Sequence, residues 1–202
     1  MITIARLTFR ELLNKRVVLV GLVLTVLYLG ILGLALHYLG RDIPETAEMV
    51  RLSLAGELLT AGLFVSGMLI SIVTVFASVG AISSDIETGI MLATAAKPIS
   101  RTHVFLGKYA GLGSAMVVYS LLVFIATNLM VGRILPFNSD GFFGAMVLFA
   151  LQPLVLLAVS LWGSTFLSTR GNSVFILMLY SVAVIGGMVE YVGVQMSSMA
   201  LN

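Results

Sequence analysis

The sequence contains no cysteine. That excludes disulfides, thiolate nucleophiles and cysteine-ligated metals. Histidine is nearly absent: His37 and His103 stand alone, and no His, Asp and Glu set has metal-ligand spacing, so no metal site is expected. There is no G-x-x-x-x-G-K-[ST] motif either. The pair Gly107-Lys108 lacks both the upstream glycine and the following Ser or Thr. A chain without a nucleotide site, a nucleophile or a metal set is not expected to be an enzyme or to bind a cofactor of its own. Charge is scarce as well, at 10% of residues against about 25% in soluble domains. So few charges do not coat a globular surface. The formal net charge of +2 is small, and gives no reason to expect a nucleic-acid partner.

What abounds is apolar. Hydrophobic residues make up 59% of the chain, and mean hydropathy is +1.12. Several stretches exceed the ~20 apolar residues that cross a bilayer. The expected fold is an all-α polytopic membrane protein with the lipid bilayer as its solvent. Residues 1–202 form one transmembrane domain, with five predicted spans at 17–39, 58–82, 105–131, 142–167 and 173–194. The first is too long for the apolar region of a cleaved signal peptide.

Before the first span, residues 1–16 place Ile4, Leu7, Phe9, Leu12 and Leu13 at roughly helical spacing, with Arg6, Arg10, Lys15 and Arg16 between them. This pattern predicts an amphipathic interfacial helix. His37 and Tyr38 fit the far interface, where amphipathic rings collect. A polar loop is expected over 40–57. In the second span Gly67, Ser71, Thr74 and Ser78 share one helical face. Such a stripe either packs closely against another helix or lines a path for cargo. Gly107 and Gly111 form a GxxxG pair at the start of the third span. Asn128, near that span's other end, is expected at the interface. Pro153 should kink the fourth span, with Gln152 satisfying the carbonyl that the proline frees. A turn is expected over 168–172, and Glu190 near the far headgroups.

Orientation follows from Lys and Arg. With the N-terminus inside, eight of them (Arg6, Arg10, Lys15, Arg16, Lys97, Arg101, Lys108 and Arg170) face the cytoplasm, and three (Arg41, Arg51 and Arg133) face outside. The stretch 83–101 between the second and third spans is then cytoplasmic. Ser84 and Glu87 fit the capping box S-x-x-E, and Asp85 and Glu87 lie in a first turn, where the macrodipole favours anions. Ile86, Ile90 and Ala93 share a face beside Met91 and Leu92, and Pro98 stops the helix. A short helix within 84–97, held between two spans, is expected.

At these residues the chain resembles a known family. The run Ser84-Asp85-Ile86-Glu87-Thr88-Gly89, followed by Lys97-Pro98-Ile99-Ser100-Arg101 and Gly107-Lys108, is similar to the loop between the second and third spans of ABC-2 type exporter permeases. The basic amphipathic N-terminus and the order of spans extend the resemblance over most of the chain. It implies a permease dimer, as homodimer or heterodimer, coupled to a cytoplasmic ABC ATPase that binds the ATP and Mg. It also implies that Asp85, Ile86, Glu87, Thr88, Gly89, Ile90, Met91 and Leu92 form the ATPase-coupling helix, and residues 1–16 the interfacial connecting helix. The host membrane would be the cell membrane of a prokaryote. The family's sixth span has no counterpart here, and residues 191–202 would begin the extracellular region before it.

Three other functions remain to be set against this one. A secondary transporter would usually keep an ionisable residue at mid-membrane, and no predicted span has one. An intramembrane enzyme lacks a recognisable constellation of groups. A non-transporting membrane assembly factor stays open.

Overall fold

The computed structural model describes residues 6–8, 16–42, 48–79, 81, 101–134 and 141–200. The predicted coupling segment, 84–97, lies outside the described residues. Of the N-terminal segment, residues 6–8 form a helical turn with Arg6 and Leu7 exposed.

Five long helices account for nearly all the rest: α1 (Arg16–Asp42), α2 (Glu48–Ser78), α3 (Arg101–Ile134), α4 (Phe142–Gly163) and α5 (Thr169–Ala200). Each contains a stretch long and apolar enough to cross a membrane. The chain is an all-α, multi-pass membrane protein. Burial has the polarity that lipid imposes. Large aliphatic side chains face outward: Leu19, Val26, Val155 and Val182 are all exposed. Hydroxyl side chains are inside: Ser66, Ser71, Thr74, Ser78, Ser120, Thr127 and Ser160 are fully buried. Lipid tails attract leucine as well as a protein interior does, so helices associate through close packing and polar contacts.

The centre is α2, α3 and α4. Helix α1 leans on α2 and α3; α5 packs mainly on α4 and touches α2 sparsely. At one end Val18, Val73, Ala77, Leu112, Met116, Leu157 and Leu161 interlock. At the other, Leu36, Ala55 and Val131 form a smaller cluster. Between them Phe124 of α3 is fully buried, with its ring 5.3 Å from Phe142 and 5.4 Å from Phe149 of α4.

Several boundaries differ from the sequence expectation. Helix α2 begins at Glu48, not Leu58. The charges at Glu48, Arg51 and Glu57 resemble a loop, yet Ala55 must reach the Leu36–Val131 cluster, flanked by Leu58 and Leu59, and a helix delivers it. At about 1.5 Å per residue this 31-residue helix exceeds the ~30 Å hydrocarbon core. Helix α3 likewise runs past 105–131 at both ends.

Helix α4 stops at Gly163, short of Leu167. The Ser164 hydroxyl donates to the Leu161 carbonyl at 2.7 Å and Thr165 to that of Trp162 at 2.7 Å, satisfying the orphan carbonyls of a helix end. The turn expected over 168–172 falls earlier, at 164–168, because Ser168 caps α5 directly. Its hydroxyl accepts the Gly171 N–H at 3.3 Å, and its carbonyl that of Asn172 at 2.9 Å. Helix α5 then continues unbroken to Ala200, through the residues expected to start an extracellular region. At the start of α4, Gly141 has φ 81°, a left-handed conformation that suits glycine.

Candidate functional site

The face of α2 carrying Gly67, Ser71, Thr74 and Ser78 is fully covered. Each hydroxyl first satisfies its own helix: Ser71 donates to the Gly67 carbonyl at 2.8 Å, Thr74 to that of Ile70 at 2.7 Å and Ser78 to that of Val75 at 3.0 Å. This back-bonding lets a hydroxyl sit in a dry interior without a water partner. The second contact of each group then crosses to a neighbouring helix. Ser78 Oγ meets Ser160 Oγ of α4 at 2.8 Å. Thr74 Oγ1 lies 3.5 Å from the Met116 Sδ of α3. Gln152 Nε2 of α4 donates to Ser71 Oγ at 2.8 Å and to the Gly67 carbonyl at 3.2 Å.

Gln152 therefore does not serve the carbonyl freed by Pro153 in its own helix; it bridges α4 to α2. Gly67 is what permits this. A Cβ built there would stand 3.2 Å from Gln152 Oε1, so any side chain would displace the amide. Within the chain this stretch of α2 holds three helices together rather than separating them.

Asn128, near the end of α3, is buried, and its Nδ2 donates to the Phe124 carbonyl at 2.9 Å. It lies on the α3 face that meets the rest of the bundle. The α1 contacts were not visible in the sequence at all. Tyr28 donates to the Gly62 carbonyl at 2.6 Å, and the Thr25 hydroxyl meets the Tyr119 hydroxyl; between α2 and α3, Ser66 approaches Thr127 at 3.4 Å. A tyrosine in an apolar run gives no sign of its partner, which lies on another helix.

A second polar group missed by the sequence reading is Asn172. It is fully buried at the α4–α5 turn and donates Nδ2 to the Ser160 carbonyl at 3.0 Å. Its Oδ1 packs against Gly163 and has no hydrogen-bond partner among the described residues. At the same end of the bundle, the Lys108 ammonium donates to the carbonyl of Ala81, just past α2. The start of α3 is thus tied to the exit of α2. These two helices flank the segment that contains Asp85 to Leu92, which itself lies outside the described residues.

Beside Gln152 the packing is incomplete between α2, α4 and α5. Leu63, Phe64, Met68, Phe149, Gln152 and Tyr180 line a cleft of about 320 Å³ between α2, α4 and α5. Among the described residues no group of three or more His, Asp or Glu could hold a metal. No protein-family model matches this sequence, and no curated protein matches it significantly.

Proposed function

We propose that this chain is the membrane subunit of an ATP-driven exporter of the ABC-2 type, working with a second permease subunit and a cytoplasmic ATPase. The observation that carries the reading is the segment between α2 and α3. Its capping box, Glu87 and Gly89, then Pro98-Ile99-Ser100-Arg101, resemble the ATPase-docking loop of such permeases. The bundle around it suits that role. Helices α2 and α3 pack on each other, and the Lys108–Ala81 bond joins them where the segment leaves and returns. A push on residues 84–92 would therefore move both helices together.

The N-terminus lies in the cytoplasm of a prokaryotic cell in this reading, and the polar loops near Arg41 and Arg133 lie outside. No described span carries an ionisable side chain near its centre, which favours an external source of energy over an ion gradient. It also favours a cargo with apolar character.

The test is purification of the chain from its native membrane. An ATPase with a Walker motif should accompany it, and Glu87→Arg or Gly89→Trp should abolish substrate-stimulated ATP hydrolysis while the subunits stay assembled. Transport at the normal rate with both changes would remove the coupling role. Absence of any ATPase would leave the assembly-factor reading in its place.

A further inference from the structure

The extension of α2 to Glu48 moves Glu57 from an expected loop onto a helix face. It is the same face that bears Gly67 and Ser71 lower down, since Ser53, Glu57, Thr60, Phe64 and Gly67 recur at helical spacing. Below Gln152 that face is sealed by α4. Above it, α4 turns to α3 through Phe142 and Phe149, which pack on Phe124. Helix α5 touches α2 only sparsely. The result is a cleft of about 790 Å³ whose lining includes Ser53, Gly56, Glu57, Thr60, Phe64 and Met188. It shares Phe64 with the smaller cleft at Gln152 and Tyr180.

Three properties define what fits. Depth is the first. Glu57 lies close to Ala55, which packs with Leu36 and Val131, and Val131 precedes Arg133 at the end of α3's apolar stretch. The carboxylate is thus at headgroup level, while Phe64 and Gln152 lie in the hydrocarbon. Charge is the second. Glu57 is exposed and, among the described residues lining either cleft, is the one that carries a charge. Nearby on α5, Glu190 is exposed and adds charge of the same sign. Polarity along the cleft is the third. Ser53 and Thr60 flank the carboxylate, aromatic and aliphatic side chains follow, and the Gln152 amide and Tyr180 ring close the far end. From Ser53 to Met68 the helix rises about 22 Å, the scale of one extended amphiphile.

We propose that the α2–α5 cleft binds an amphipathic organic cation, with its positive head at Glu57 and its apolar body laid along Phe64 toward Tyr180. This does not rest on the ATPase reading, because binding requires neither nucleotide nor a partner.

The experiment uses the full chain in phosphatidylcholine nanodiscs and two fluorescent probes with the same dodecyl tail, one ending in trimethylammonium and one in a hydroxyl. The cationic probe should bind saturably and about tenfold tighter than the neutral one, as expected for a charge-assisted contact. Glu57→Gln should bring the cation down to the neutral probe's affinity, and Glu57→Asp should retain most of the difference. A Cβ at Gly56 meets nothing within 4 Å, so a side chain there starts into open space, and Gly56→Trp should exclude both probes. Equal affinity of the two probes would overturn the proposal, as would a head-group preference that survives Glu57→Gln. Disulfide linkage of Ser53→Cys between two chains, with loss of probe binding, would assign the cleft to a second copy and overturn it too.

Discussion

Gln152 of α4 and Ser71 of α2 are joined by a 2.8 Å hydrogen bond in the interior of the bundle. The same Gln152 amide donates to the Gly67 carbonyl, so one side chain from α4 holds two successive turns of α2. Below it α2 and α4 interlock; above it a cleft opens on the α2 face toward α4 and α5. The bond marks the boundary between the part of the molecule built for rigidity and the part that opens to the membrane.

Gln152→Leu removes both contacts and leaves Ser71 with only its own-helix acceptor. Interhelical hydrogen bonds in membranes are worth about 0.6 to 2 kcal/mol, so the variant should lose about 1–2 kcal/mol of stability. Ser71→Ala, which keeps the Gly67 contact, should lose less. Reversible unfolding in mixed micelles measures both. Equal losses would show that the Gly67 contact adds nothing, and no loss for Gln152→Leu would show that the bridge contributes nothing.

At the opposite end of α4, Gly163 makes room for the Asn172 side chain. Gly163→Ala should cost about 1–3 kcal/mol, as overpacking of a tight interior does. Asn172→Ala should cost about 1 kcal/mol for the lost bond to the Ser160 carbonyl. Because Asn172→Ala also removes the atom that the new methyl strikes, the double variant should be less destabilised than the sum. Simple additivity in the double-mutant cycle would show that the two residues do not meet.

Trp162 is the single tryptophan of the chain. It is exposed on α4 and stacks edge-on with Phe166, with ring centroids 4.7 Å apart. One residue from the end of the helix, it should sit at the interface as amphipathic rings do. Its fluorescence should be quenched strongly by lipids brominated near the headgroup end of the acyl chain, and weakly by those brominated near the terminal methyl. Strong quenching by aqueous acrylamide, with none by either lipid, would take the α4–α5 turn out of the membrane boundary.

The absence of native cysteine makes the orientation directly testable. In intact cells Thr46→Cys should react with a membrane-impermeant maleimide, and Thr88→Cys should react only after the membrane is opened. The reverse pattern would invert the proposed orientation and remove the cytoplasmic coupling role from residues 85–92.

The number of spans and the class of fold were legible in the sequence, for a simple reason. Crossing hydrocarbon demands a long apolar run, and a run is a local property. Helix ends were less legible. Glu57 looked like loop because charge is disfavoured in lipid, but the packing of Ala55 against Leu36 and Val131 keeps the backbone helical through it. Ser168, the first residue of the expected turn, carries a readable capping signal for α5. The stripe on α2 was visible from spacing alone, while its partners were not: the assignment of Gln152 to Ser71, Met116 to Thr74 and Ser160 to Ser78 depends on how three helices cross.

By itself, then, the sequence determined that this is a helical membrane protein with the bilayer as solvent, because composition sets the solvent and periodicity sets the face. Only the tertiary structure decided that Asn128 and Asn172 are interior, that Gln152 bridges rather than repairs its own helix, and that Glu57 stands at the mouth of a cleft. Those outcomes depend on which helix lies opposite each side chain. In a membrane, where apolar surfaces pack against lipid as readily as against one another, that choice is made by small residues and hydrogen bonds far apart in the chain.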